Sequence, residues 1–89
     1  MLHTIATNHI DVDLITENDA VLFWQNGVIF ALKNNSMLQT VLTKTVHCYV
    51  LNNDLLARGL TAMVDNRVKI IEMQGVVSLT EQFYPQINH

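Results

Sequence analysis

With 89 residues, the chain has room for one domain and one core, at a size where burial only just outweighs chain entropy. Hydrophobic residues make up 49% and charged residues only 15%, against about 25% in an ordinary soluble chain, so part of the apolar excess is expected to lie against other subunits. The net charge is −3, and Lys33, Lys44, Arg58, Arg67 and Lys69 are scattered, so no basic stripe can follow a phosphate backbone and direct nucleic-acid binding is not expected.

The opening MLHTIATNH lacks a basic segment followed by an apolar run and a small-residue cleavage site, and no apolar run reaches the ~18 residues of a membrane helix. The single cysteine can form no internal disulfide, which suits a reducing compartment. A cytoplasmic protein with no membrane association is expected.

Taken in chain order, the first apolar run is Met1 to Ala6, of strand length. Residues Ile10 to Glu17 follow as a helix of barely two turns. A second strand is predicted over Ala20 to Trp24. Asn26 and Gly27 come next, Gly27 suited to a positive φ in a tight turn, and a helix over Val28 to Thr43 interrupted by Lys33-Asn34-Asn35-Ser36. The third strand is Val46 to Leu51, followed by Asn52, Asn53 and Asp54, any of which can cap the helix predicted over Asp54 to Val64. Gly59 is suited to a left-handed cap inside or at the end of that segment. A fourth strand, Val68 to Met73, precedes a helix over Val76 to Phe83, and Pro85 forbids its continuation, leaving the last four residues frayed.

The apolar residues of the strand runs do not keep to alternate positions, as expected for strands covered on both faces. The β-α-β-α-β-α-β-α order therefore predicts an α/β fold: one domain over residues 1–89, with a small open parallel sheet of about four strands, right-handed crossovers and helices on both faces.

In such a sheet, binding groups gather at the carboxyl ends of the strands. Those positions hold Thr7, Asn8 and His9, then Gln25, Asn26 and Gly27, then Asn52, Asn53 and Asp54, then Gln74 and Gly75. They form a polar rim, suited either to a ligand or to capping helices and satisfying turns. Glycines at 27, 59 and 75 cannot compose a dinucleotide or phosphate-binding fingerprint, so no nucleotide cofactor is expected.

Cys48 lies inside the third strand, with Val46 and Val50 on its face and His47 and Tyr49 on the other. A reactive thiolate needs an electropositive, partly exposed setting, and mid-strand burial is the opposite, so Cys48 reads as a small core hydrophobe. His47 points away from it and cannot act as its base. His3, His9, His47 and His89 show no metal-ligand spacing, and Ser36 and Ser78 lack a nucleophile context. Arg58, four residues after Asp54, either pairs with it along a helix or turns a guanidinium fork toward a partner's carboxylates.

The segments MLHTI, LFWQNGVIFAL (22–32), YVLNNDLLARGLT (49–61) and VVSLTEQF (76–83) resemble the TusB/DsrH family in order and spacing, over nearly the whole chain. LNNDLLARG is the most specific piece. The resemblance implies a DsrE/F/H-like α/β protein that assembles with TusC-like and TusD-like homologous subunits into a heterohexamer. In that complex, persulfide sulfur passes from a TusA-like carrier through a cysteine of the TusD-like chain to a TusE-like carrier, ending in 2-thiolation of the wobble uridine of tRNA. The Dsr branch instead serves sulfur oxidation. Members of the DsrH branch that carry a candidate sulfur-bearing cysteine have it in the first crossover, whereas residues 7–19 here contain none, which favours the Tus branch.

The implied role is a non-catalytic assembly subunit, needing no cofactor or metal, with Gln25, Asn26, Gly27, Asn52, Asp54, Arg58 and Gly59 at a partner interface. The competing roles are a DsrH-like subunit in sulfur oxidation, a sulfurtransferase using Cys48 itself, and a free-standing module binding a small ligand at the rim.

Overall fold

The computed structural model describes residues 1–89. Five parallel strands, β1 (Leu2–Ile5), β2 (Ala20–Phe23), β3 (His47–Leu51), β4 (Lys69–Ile71) and β5 (Gln86–Asn88), form one sheet in the order β4-β3-β2-β1-β5. Three α-helices accompany them: α1 (Ser36–Lys44), α2 (Asn52–Arg58) and α3 (Met73–Gln82). The α/β parallel-sheet reading holds, with a fifth strand added to the expected four. That strand lies in the segment expected to fray. It pairs Gln86, Ile87 and Asn88 with Leu2, His3 and Thr4, and is too short to show alternation in the sequence.

The sheet divides the interior in two. Ile5, Val21, Phe23, Cys48 and Val50 point to one face, where Val28, Phe30, Leu38, Val41 and Leu55 close over them. Leu2, Ala20, Leu22 and Leu51 point to the other, met by Val76 and Leu79 of α3. The strand registers account for this: Leu2, Ala20 and His47 lie in line, and one residue on, so do His3, Val21 and Cys48. Because successive side chains alternate between faces, strands covered on both sides carry apolar residues at nearly every position.

Topology explains the unequal coverage. The chain steps outward from β1 through β2 and β3 to β4, and its first three connections pack on the larger cluster. It then returns past the whole sheet to β5, with α3 alone on the opposite face. Crossovers of one hand that run in opposite directions must lie on opposite faces.

Three expected helices differ from those observed. The first crossover is a single 3-10 turn, Val12–Leu14, because Asp11 caps Asp13 and Ile10 and Ile15 drop into the core on either side. The Val28 to Thr43 segment divides into a 3-10 stretch, Gln25–Ala31, and α1. Asn34 takes a φ of 67° and the Asn35 side chain accepts from the Met37 and Leu38 N–H groups, starting a new helix. In the Asp54 to Val64 segment, Gly59 at φ 65° ends α2 and only a 3-10 turn, Thr61–Met63, follows.

Gly27 is required for a different reason from the positive φ expected of it. That conformation belongs to Gln25, at φ 51°, whereas a Cβ on Gly27 would stand 2.0 Å from the Ile5 carbonyl oxygen. The glycine lets the Gln25–Ala31 stretch lie directly on the end of β1.

Candidate functional site

The carboxyl ends of β2, β3 and β4 carry a connected polar rim. The left-handed backbone at Gln25 turns its N–H to the Asp54 carboxylate, 2.7 Å to Oδ2. The Arg58 guanidinium donates to Asn26 Oδ1 at 2.6 Å and to the Asp54 carbonyl at 3.5 Å. Asn52 Nδ2 donates to Glu72 Oε1 at 2.9 Å, tying β3's end to β4's. None of Asn52, Asn53 and Asp54 caps α2: the cap position is Leu51, without a side-chain hydrogen bond. The two polar side chains that engage partners reach across to neighbouring strands instead.

The pairing with Asp54 is met only through its backbone carbonyl rather than its carboxylate, and a second guanidinium nitrogen of Arg58 donates to Asn26. Of the seven residues assigned to an interface from the sequence, Gln25, Asn26, Asp54 and Arg58 form one bonded group, and Gly27 seats it on β1. Asn52 belongs to the link with Glu72. Gly59 is an exposed turn residue with nothing within 4 Å of where a Cβ would stand. The remaining strand-end residues stay apart from the group: Thr7 accepts only from the His9 N–H, and Gln74 and Gly75 lie within α3. Glu72 was missed, because the predicted fourth strand runs on to Met73 and places its carboxyl end at Gln74 and Gly75.

Several of the rim's polar groups bind one another. The surface depression in this chain lies elsewhere, at the amino ends of β2 and β3, lined by Glu17, Leu42, Thr43, Lys44, Thr45 and Val46.

Trp24, another residue the sequence did not single out, stands beside the rim on the α3 face. Its indole N–H is buried and has no hydrogen-bond partner within the chain. Buried donors are almost always paired, and this one is the exception in the chain. Around it, Tyr49, Ile71 and Phe83 are half-buried, and Met73 and Val77 of α3 are 50% and 54% exposed.

Cys48 has 1% of its surface exposed, in the larger core, with its Sγ 3.7 Å from the Thr45 carbonyl. Burial pushes the thiol up to about 12, so it is protonated at neutral pH as well as sealed from any sulfur donor. His47 lies on the opposite face against Phe83, ring centroids 5.6 Å apart. The thiol is inaccessible in this structure, for the reason its strand position implies. No cluster of three His, Cys, Asp or Glu side chains is arranged to hold a metal ion, and no helix is long and apolar enough to cross a membrane.

Fold and site together define a small parallel-sheet α/β module with hydrogen-bonded polar groups at the carboxyl ends of its strands. The family model described as DsrH like protein matches residues 7–86, and the chain belongs to that family. Protein TusB of Pectobacterium parmentieri is 37% identical over 92 aligned positions, covering 97% of this chain and 96% of the relative. Protein TusB of Escherichia coli K12 is 35% identical over 86 positions, 90% of each chain. An uncharacterized protein of Haemophilus influenzae is 37% identical over 76 positions, 83% of this chain and 77% of the relative.

Proposed function

We infer that the chain is a non-catalytic assembly subunit of a TusBCD-like sulfur-relay complex in the cytoplasm. It holds TusC-like and TusD-like subunits in a heterohexamer that passes persulfide sulfur, between TusA-like and TusE-like carriers, toward 2-thiolation of the tRNA wobble uridine. The observation that carries this reading is the contrast between a sealed, protonated thiol and a partly covered apolar surface. The one nucleophilic sulfur of the chain faces the core, while half-buried Trp24, Tyr49, Ile71 and Phe83 and the exposed Met73 and Val77 leave apolar surface on the α3 side. A subunit that performs no sulfur chemistry needs contact surfaces, and these are what the fold organises. Relatives of matching length carry the name TusB, which favours the tRNA-thiolation branch over sulfur oxidation.

The interface is assigned to Gln25, Asn26, Gly27, Asn52, Asp54, Arg58 and Gly59, continuing onto Trp24. The Arg58 to Asn26 bond presents a fixed edge, which lowers the ordering cost when a partner docks.

The test is copurification of the tagged chain from its native cells, as wild type, Cys48→Ser and Arg58→Glu, with mass spectrometry of the bound chains and measurement of tRNA 2-thiouridine. Two small homologous chains are expected with wild type and Cys48→Ser, with full thiolation in both. Arg58→Glu is expected to lose them. Loss of thiolation with an intact Cys48→Ser complex would overturn the non-catalytic assignment, and a lone wild-type monomer would overturn the assembly role.

A further inference from the structure

Beneath the first crossover, three side chains far apart in sequence form a line of hydrogen bonds. His3, fully buried in β1, places Nε2 2.8 Å from Asp19 Oδ2 and Nδ1 3.0 Å from His89 Nε2. His89 in turn places Nδ1 3.1 Å from the Asp11 backbone nitrogen. The last of these contacts has only one possible direction, because a backbone N–H donates. His89 Nδ1 must therefore be the bare acceptor, leaving its proton on Nε2 to donate to His3 Nδ1. His3 then carries its own proton on Nε2 and donates it to the Asp19 carboxylate. The line is consistent in one arrangement, with both imidazoles neutral.

We propose that His3 and His89 form a latch that fastens β5 to β1 only while both rings are neutral, and that acidification opens it. A further proton has nowhere to go without breaking a contact. On His89 Nδ1 it meets the Asp11 N–H. On His3 Nδ1 it meets the His89 Nε2–H, unless that proton moves to Nδ1 and faces Asp11 in its turn.

The surrounding charges are unequal at the two ends. Asp19 receives the Thr16 N–H at 3.0 Å and lies 3.4 Å from the Met1 amine, so its charge is already well served. At the other end His89 is faced by His3, Asp11 and His9. Burial first, then the neighbouring His3 and His9, hold its pKa below the ordinary imidazole value, against the opposing charge of Asp11. The sign follows from this lowering. Stability contributed by the latch is complete above about 6.5, the ordinary value, and is lost as pH falls through the lower folded-state value. The strand it fastens is short, joined to the sheet only through β1, with the Leu2 and His89 N–H groups bonded to the Pro85 and Thr4 carbonyls. Its release leaves β1 as the open edge.

The test uses the full chain labelled with 15N at its imidazoles. At pH 7.5, His89 and His3 are both expected as the Nε2–H tautomer. Between pH 7.5 and 5, hydrogen-exchange protection of the β5 amides and of Leu2 is expected to fall relative to the β2 and β3 amides. The fall is about tenfold for each unit by which the folded-state value lies below the ordinary one. In His89→Phe, β5 protection is expected to be weaker at pH 7.5 and flat over the same range. A protonated His89 Nδ1 at pH 7.5, unchanged protection in the wild type, or the same pH dependence in His89→Phe would each overturn the latch.

Discussion

The two faces of the sheet are built to different ends. On the larger-core face, the 3-10 stretches, α1 and α2 close over Phe23, Cys48 and Val50, of which none has more than 1% of its surface exposed. On the other, one helix meets Leu2, Ala20, Leu22 and Leu51, leaving Tyr49, Phe83 and Trp24 half-covered and an indole N–H unpaired. A chain this small buries a limited fraction of its surface, and here most of that capacity goes to one side. The larger-core face holds most of the fully buried side chains, and the α3 face fewer of them.

Substitutions on the larger-core face should be the most damaging. Phe23→Ala removes a fully buried ring packed 6.2 Å from Phe30 and should lower unfolding stability by about 3–5 kcal/mol in urea titrations, enough to unfold much of the population. Gly27→Ala should rank next, at or above the upper end of the roughly 1–3 kcal/mol of overpacking, because its Cβ meets the Ile5 backbone rather than a movable side chain.

Acid titration gives a separate, intermediate effect. Asp19 is held at about 2, chiefly by the His3 hydrogen bond and the Thr16 N–H against the cost of burial. The lowered value means its contribution is present above the ordinary carboxylate range and is lost as pH falls toward 2. Thermal melting in acid should steepen there in the wild type and not in Asp19→Asn.

The smallest effects should come from the α3 face. Val77→Ser should change the isolated chain's stability by no more than about 0.5 kcal/mol, while weakening recovery of the proposed partners. A loss as large as that of Phe23→Ala would erase the distinction between the faces.

The sequence made β1, β2 and β3 legible, because double coverage turns each into an apolar run, and β4 through the apolar residues in and around it, although Lys69 and Ile70 are exposed. It hid β5, since Gln86, Ile87 and Asn88 carry one apolar residue among them and are fixed by the register with β1 and by the Asn88 contact with Thr4. Cys48's inertness followed from its strand position. The rim was half legible: strand ends located Gln25, Asn26 and Asp54, and the resemblance added Arg58. The Arg58 to Asn26 bond spans 32 positions, and no local pattern announces such a reach. Trp24 likewise looked like one more apolar strand residue, because an unpaired N–H appears only once its surroundings are packed.

The placement of β5 beside β1 also has a consequence for synthesis. The first strand made must pair with the last, across nearly the whole chain, so its outer edge stays unpaired until residues 86–88 have left the ribosome. Through that interval β1 offers a free row of backbone groups to any neighbouring strand, and a nascent chain stalled before residue 86 should be the most aggregation-prone form of this protein.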